Sequence, residues 1–225
     1  MAFRDPVEFW RPYADAFNGD VPTDFTLDWI DKESGGNRCN FTSSAGFPEV
    51  GILQLDPGNM AMAGTDQETL RAGCTGQFDA SGTPDDLNRA MSTGIDYIKA
   101  LKNLTHGKVD WPENSTDFWS LVRLQHAAGI GATDQSLAIA KNNLGRAPAN
   151  WDEFIANGCC PPGRFSHWAD VAAENGSWAA GFQPSVLATF SSPKWLTWLG
   201  LAATLLGAWW FERRSHRLAS SAKMR

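Results

Sequence analysis

One uninterrupted apolar segment near the C-terminus limits what this chain can fold into more than any other feature. Residues 195–211 read WLTWLGLAATLLGAWWF and carry no charge. As a helix rising about 1.5 Å per residue, this run spans roughly 26 Å, close to the thickness of a bilayer core. Aromatic residues at both ends are typical of a membrane-spanning helix. We therefore expect a transmembrane helix over residues 194–212, and the alternative is a buried core helix of a soluble protein.

The sequences at the two ends of the chain bear on its location. The tail, residues 213–225, is basic, and basic flanks usually remain on the cytoplasmic side of a membrane. The N-terminal sequence MAFRDPVEFWRPYADAF contains acids and prolines instead of the apolar centre of a signal peptide. We expect a protein anchored by a single C-terminal helix, in a virion or in an inner membrane facing the periplasm, and its orientation stays open.

Composition and residue spacing describe the rest of the chain as a mainly α-helical body. Of 225 residues, 43% are hydrophobic and 20% are charged, which excludes a disordered chain, and a net charge of −6 predicts no nucleic-acid partner. Apolar residues recur at helical spacing, and only residues 50–55 resemble a strand. We expect about seven helices and minimal β structure within residues 1–175. A tether containing Gly, Ser and Pro then covers residues 176–193.

The sharpest chemical signal is a glutamate at the end of a predicted helix. Glu33 follows Trp29 by four residues and therefore shares its apolar face. Asp28 and Asp31 are expected to point toward water. Desolvation beside the tryptophan and the helix C-terminus both raise a carboxyl pKa, which suits a general acid. The alternative is a helix-end glutamate whose side chain reaches into solvent.

A second motif gives this glutamate a family context. Residues 33–37 read ESGGN, and residues 51–55 read GILQL. The identity, order and spacing of these two motifs resemble those of the soluble-lytic-transglycosylase (SLT) type of lytic transglycosylase, in the lysozyme-like superfamily. The resemblance covers about residues 20–145 in outline. It implies a lysozyme-like α-helical domain with Glu33 as the catalytic acid, and a sugar cleft lined by Ser34, Gly51, Ile52, Leu53 and Gln54.

The third motif of that family is altered in this chain. The family usually carries Ala-Tyr-Asn-Ala-Gly on a later helix, and the matching residues 125–129 read QHAAG. His126 therefore stands where the family has a tyrosine close to the catalytic acid. We expect His126 to replace the hydrogen bond of that tyrosine and to contact substrate. The alternative is a packed or solvated histidine.

A single acid raises the question of a second carboxylate, because hydrolytic glycosidases usually use two. Glu49 and Asp56 flank the second motif and could reach the cleft, or they are solvated loop charges. The resemblance implies that no second carboxylate is needed, because the acetamido group and the C6 hydroxyl of the substrate take its roles. Phosphate-binding loops, HExxH and CxxC motifs are missing from the sequence, so we expect neither cofactor nor metal.

Four cysteines are present, at positions 39, 74, 159 and 160. In an oxidising compartment Cys39 and Cys74 could form a disulfide, with Cα atoms about 4.4–6.8 Å apart. The alternative is a pair of free, partly buried thiols.

Together these features predict a membrane-anchored peptidoglycan lytic transglycosylase that opens the cell wall locally, in phage entry or in an envelope machine. The expected partners are peptidoglycan glycan strands, the lipid membrane through residues 195–211, and virion or envelope-complex proteins. Two alternatives stay open. One is a muramidase of the same fold, which adds water to the same bond. The other is a catalytically idle lysozyme-like domain with a structural or glycan-binding role.

Overall fold

A computed structural model describes residues 5–42, 48–74, 82–158 and 164–180 of the chain. Helices dominate these ranges, together with one short antiparallel hairpin. In chain order the elements are α1 (Asp5–Glu8), α2 (Arg11–Phe17), α3 (Thr23–Glu33), β1 (Phe41–Thr42), β2 (Glu49–Val50), α4 (Pro57–Met62), α5 (Gln67–Arg71), α6 (Pro84–His106), α7 (Thr116–Ala127), α8 (Ile130–Leu144), α9 (Trp151–Gly158) and α10 (Arg164–Ser177).

Helix α6 is the longest described helix, with 23 residues, and the sequence supplies a complete cap at its start. The Thr83 hydroxyl accepts the Asp86 N–H at 3.3 Å, and the Asp86 carboxylate accepts the Thr83 N–H at 2.9 Å. Pro84 occupies the first helical position, where a missing N–H costs nothing. Further along, Gly94 lets the hairpin region approach closely, because a Cβ atom there would lie 3.1 Å from Leu53 Cδ1.

The core is built around buried aromatic side chains of α3 and α7. The Phe25 ring lies 5.7 Å from the Trp29 ring and 5.0 Å from the Trp119 ring, and all three side chains are fully buried. Large aromatic side chains remove much apolar surface from water, at about 25 cal/mol per Å². This packing fixes α3 against α7 and so determines which side chains of α7 reach the end of α3.

Helix α10 packs against both α7 and α3. At the closest approach, a Cβ atom on Gly176 would stand 2.1 Å from Ser120 Oγ, so only glycine fits there. Asn175 Nδ2 donates to the Phe25 carbonyl at 3.0 Å and to Asp28 Oδ2 at 2.9 Å. Because α10 continues to Ser177, the predicted domain boundary at residue 175 falls inside the last turn of this helix.

The predicted fold class needs correction at its transmembrane helix. Within the described ranges, no helix is both long enough and apolar enough to cross a bilayer. This finding contradicts the predicted transmembrane helix and the predicted membrane-anchored location. The physical reason is visible in α6, which has sufficient length but exposes a polar face that includes Asp96. The segment 194–212, on which the prediction rested, lies outside the described residues.

Candidate active site

Helix α3 ends at Glu33, and the turn that follows depends on glycine. Gly36 has a φ of +89°, and a Cβ atom there would stand 2.3 Å from the Pro6 carbonyl oxygen of α1. Trp10 Nε1 donates to the Gly36 carbonyl at 2.7 Å. The N-terminal segment therefore holds this turn in place, and the turn sets the direction in which the chain leaves Glu33.

Two side chains of α7 meet the Glu33 carboxylate at the same oxygen. Arg123 Nη2 donates to Glu33 Oε1 in an ion pair, and His126 Nε2 lies 3.4 Å from the same atom. Arg123 and His126 are three residues apart and therefore share one face of α7. Among the described residues, no side chain or backbone group bonds Oε2, and the Glu33 side chain is 21% exposed. One oxygen is held by the protein and the other is available to a bound molecule.

Arg123 is enclosed by the core. Its side chain is 2% exposed, and its guanidinium group lies over the Trp29 ring at 4.6 Å from the centroid. Arg123 Nε and Nη1 and the indole Nε1 of Trp29 are buried without a hydrogen-bond partner in the described part of the chain. A buried unpaired donor costs about 1–3 kcal/mol, so three of them in one place require an explanation beyond stability.

His126 is oriented from its other side by a buried tyrosine of α6. Tyr97 Oη lies 3.0 Å from His126 Nδ1, and the Tyr97 side chain is fully buried. Burial raises the pKa of the Tyr97 phenol well above its usual range, so the hydroxyl stays neutral. Because the Glu33 carboxylate only accepts, the neutral tautomer of His126 that fits both neighbours has its proton on Nε2 and accepts a hydrogen bond from the Tyr97 hydroxyl at Nδ1. The result is a chain of contacts from Tyr97 through His126 to Glu33.

The pKa of Glu33 moves in the direction opposite to the sequence-based expectation. Burial raises this pKa, as expected beside Trp29. The charge of Arg123 and the hydrogen bond and charge of His126 together lower the pKa by more than burial raises it. The net result is a pKa of about 2 for the Glu33 carboxyl. In the structure as it stands, Glu33 is therefore a carboxylate, and the expectation of a protonated resting acid is wrong.

Ser34 joins the two sequence motifs in space. Its hydroxyl Oγ donates to the Ile52 carbonyl at 2.9 Å. This bond ties the end of α3 to the turn formed by the second motif, although 18 residues separate the two positions along the chain. The predicted proximity of Glu33 to the second motif thus has a direct structural basis, and Ser34 acts as the link.

The second motif forms a tight turn instead of the short strand expected for residues 50–55. The backbones of Val50 and Leu55 pair in both directions, at 3.0 and 2.9 Å, and Gln54 N–H donates to the Gly51 carbonyl at 3.2 Å. Gln54 has a φ of +49°, which is uncommon for a residue with a Cβ atom. Ile52 is packed in the core beside α6.

The side chain of Gln54 is used inside the hairpin. Its Nε2 donates to the Gly51 carbonyl at 2.8 Å and to the Asn40 carbonyl at 3.1 Å, while its Oε1 lies 2.9 Å from Thr42 Oγ1. Gln54 is 5% exposed, and Ile52 and Leu53 are 3% and 2% exposed. These residues shape the turn beside Glu33, and their contact with a substrate stays a prediction.

The other carboxylates near the motifs are engaged elsewhere. Glu49 Oε2 lies 2.9 Å from the Thr42 hydroxyl, and Asp56 accepts the Asn59 N–H at 2.7 Å as the N-cap of α4. Asp28 is buried at 4% exposure instead of pointing toward water, because α10 covers it. Burial raises the pKa of Asp28, and Lys32 opposes this effect.

A disulfide joins Cys39 to Cys74, with a Cα–Cα distance of 5.6 Å, which decides for the bridge over the alternative of free thiols. It links the segment after the Glu33 turn to the end of α5. Arg38, the residue before Cys39, is buried and donates to the Ala72 carbonyl at 2.8 Å, so two adjacent residues hold the same two segments together. Cys159 and Cys160 lie outside the described residues.

Sequence reasoning missed two residues of the site, Arg123 and Tyr97. Arg123 lies 90 residues from Glu33. In the segment LVRLQH it stands between apolar residues, and a lone cation on a buried helix predicts an internal partner. Tyr97 is one of only 2 tyrosines in the chain and lies on the apolar face of α6. A buried tyrosine usually finds a hydrogen-bond partner, so its position was a usable signal.

Comparisons with protein-family models, with curated proteins and with solved structures find no match for this chain. The family resemblance therefore rests on the sequence motifs alone. The lysozyme-like fold and the transglycosylase family stay predictions.

Proposed function

We propose that this chain is a peptidoglycan lytic transglycosylase in which Glu33 is the catalytic residue. The observation that carries the proposal is the meeting of the two motifs at one partly exposed carboxylate. Glu33 stands at the end of α3, and the adjacent Ser34 bonds the turn of the second motif at Ile52. A carboxylate that is largely enclosed, with one oxygen anchored and one unbonded by the described residues, suits proton transfer to a bound sugar.

In the proposed reaction Glu33 acts first as an acid and then as a base. Protonated Oε2 gives its proton to the oxygen between N-acetylmuramic acid and N-acetylglucosamine, and the bond from that oxygen to C1 of the muramoyl ring breaks. The acetamido oxygen of the same sugar stabilises the cation at C1. The Glu33 carboxylate then takes the proton of the C6 hydroxyl as O6 bonds to C1. The products are a 1,6-anhydromuramoyl end and a free 4-hydroxyl, and no water is consumed.

The environment of the neighbouring carboxylates favours this reaction over a hydrolysis that uses two carboxylates. Asp56 is committed to capping α4, and Glu49 contacts the Thr42 hydroxyl within the hairpin. Glu33 is thus the one carboxylate of the motif region that meets both Arg123 and His126. A mechanism that borrows its nucleophile from the substrate fits a site with a single carboxylate.

One observation favours a second candidate function, glycan binding without turnover. The ion pair with Arg123 keeps Glu33 ionised, and a carboxylate that never gains a proton cannot act as an acid. In that case the surface around Glu33 would bind glycan strands as a structural component.

The release of soluble fragments from dye-labelled cell walls by the full-length protein separates these candidates. Glu33→Gln keeps the size of the side chain and removes the titrating proton, so turnover should fall by at least about 10²–10⁴. The matched control is Glu153→Gln, since Glu153 forms an ion pair with Arg146 away from the motifs. It should release fragments at the wild-type rate.

Two results would reject the transglycosylase proposal. Equal release by wild type and Glu33→Gln would remove Glu33 from catalysis. Cell-wall binding by wild-type protein without any release, over the whole pH range in which it is folded, would leave the glycan-binding function.

A further inference from the structure

Arg123 has no role in the resemblance on which the proposed function draws, yet it makes the closest contact with Glu33. We infer that Arg123 is a positioning residue: it fixes Glu33 through Oε1, leaves Oε2 to face the substrate, and sets the pH range of the acid step. This inference rests on the proposed transglycosylase function. It assigns to one buried cation the control of the catalytic carboxyl.

The geometry makes Arg123 a fixed element of the site. Its side chain is 2% exposed and stacked on Trp29, so it has no room to turn toward solvent. Only Nη2 is used, in the bond to Glu33, while Nε and Nη1 are buried without partners in the described ranges. A purely structural arginine is expected to satisfy more of its five donors. Arg123 thus places one charge beside one carboxylate, while its other nitrogens form no hydrogen bonds within the described ranges.

The charged and titratable groups around Glu33 come from four parts of the fold. Arg123 and His126 face it from α7, the phenol of Tyr97 stands behind His126 on α6, and Asp28 lies on the preceding turn of α3 within the field of Arg123. Asp56, at the start of α4, acts on Tyr97. Of these groups, Arg123 is the permanent cation in contact with the carboxylate, and burial is the main opposing effect on the pKa.

Removal of Arg123 should therefore raise the pKa of Glu33. In wild type the pKa of Glu33 is about 2, so few molecules carry the proton that the acid step needs, and activity falls as the pH rises. Arg123→Met keeps an apolar stem over Trp29 but removes the charge. Burial then acts with less opposition and the pKa of Glu33 rises. The pH at which activity falls to half should rise by at least one unit, a tenfold change in the protonated fraction.

The test uses two readouts on the full-length protein. The first is the carboxyl ¹³C signal of Glu33 in protein labelled with ¹³C-glutamate, assigned by its loss in Glu33→Gln. Between pH 3 and pH 8 this signal should be constant in wild type and should titrate in Arg123→Met. Arg123→Lys retains a charge and should titrate, if at all, at lower pH than Arg123→Met, and it also serves if Arg123→Met fails to fold. The matched control, Arg146→Met, should leave the Glu33 signal unchanged.

The second readout is the pH profile of fragment release for the same variants, in which only the Arg123 variants should shift. A Glu33 signal that behaves identically in wild type and both Arg123 variants would overturn the inference. So would a pH profile that does not move in an active Arg123 variant. If wild type releases no fragments at any pH, the proposed function fails, while the ¹³C titration still decides whether Arg123 controls the ionisation of Glu33.

Discussion

Two of the arginine–glutamate pairs in the described part of the chain differ sharply in their environments. Arg146 and Glu153 meet at 54% and 31% side-chain exposure, through two parallel bonds of 2.8 and 2.7 Å. Arg123 and Glu33 meet at 2% and 21% exposure through one bond. The pKa of each glutamate falls to about 2. For Glu153 the bond from Arg146 is the largest effect, whereas for Glu33 burial is the largest single effect and Arg123 and His126 together overcome it.

The difference between the two pairs bears on whether an ion pair serves the stability of the fold or the proposed chemistry. The exposed pair satisfies its hydrogen-bonding groups and remains in contact with water, so it contributes little to stability. The buried pair leaves two donor nitrogens of Arg123 unpaired in the described part of the chain and holds only one oxygen of Glu33. A folded protein gains little from that arrangement by itself, because desolvation consumes most of the Coulombic attraction. Under the proposed function, the pair instead serves the chemistry at Glu33.

The largest expected difference between the pairs is their coupling energy. Double-mutant cycles with Arg123→Met and Glu33→Gln, and with Arg146→Met and Glu153→Gln, isolate each interaction in urea unfolding at pH 7. We expect a coupling of about 3 kcal/mol for the buried pair and a much smaller coupling for the exposed pair. Similar couplings for the two pairs would show that the burial difference has no energetic consequence.

A second test of the buried pair is the pH dependence of stability. The pKa of Glu33 is about 2 in the folded protein, against a usual value of 4.5. Between these values the unfolded chain binds more protons, so the ion pair stabilises the fold above pH 4.5 and loses that effect as the pH falls toward 2. Glu33→Gln should flatten the plot of unfolding free energy against pH in this window, by up to about 1.4 kcal/mol per pH unit. Parallel plots for wild type and Glu33→Gln would contradict the depressed pKa.

The smallest effect concerns the second partner of each carboxylate. Glu153 accepts a backbone N–H from Ala149 at 2.8 Å, whereas Glu33 depends on His126, which is oriented by Tyr97. Tyr97→Phe removes one buried hydrogen bond and should lower the unfolding free energy by about 1 kcal/mol, measured in urea. Fragment release should fall by less than in Glu33→Gln. Unchanged stability and unchanged release would show that Tyr97 does not orient His126.

Local sequence signals predicted the parts of the site that lie close together along the chain. The spacing of Trp29 and Glu33 on one helix, followed by two glycines, predicted a carboxyl at an apolar helix end. The pairing of Cys39 with Cys74 was also within reach, since the two cysteines flank the segment that contains the second motif. These inferences succeeded because each depends on helix geometry or on a short covalent constraint.

The rest of the site depends on packing between distant segments, and no local rule contains it. Arg123 reaches Glu33 because Phe25 and Trp119 dock α7 onto α3, and that docking reversed the expected shift of the Glu33 pKa. Asp28 became buried because α10 returns to cover α3. Predicting either outcome from sequence would have required knowing which helices meet, which is a property of the assembled core.

The central claim, that a single carboxylate cuts glycan strands without water, is tested most directly by the masses of the products. Full-length protein is incubated with purified cell walls, and the released fragments are analysed by mass spectrometry. We predict fragments with 1,6-anhydromuramoyl ends, each one water lighter than the corresponding reducing end, and their loss in Glu33→Gln. Fragments that carry reducing ends only would identify a muramidase and contradict the claim.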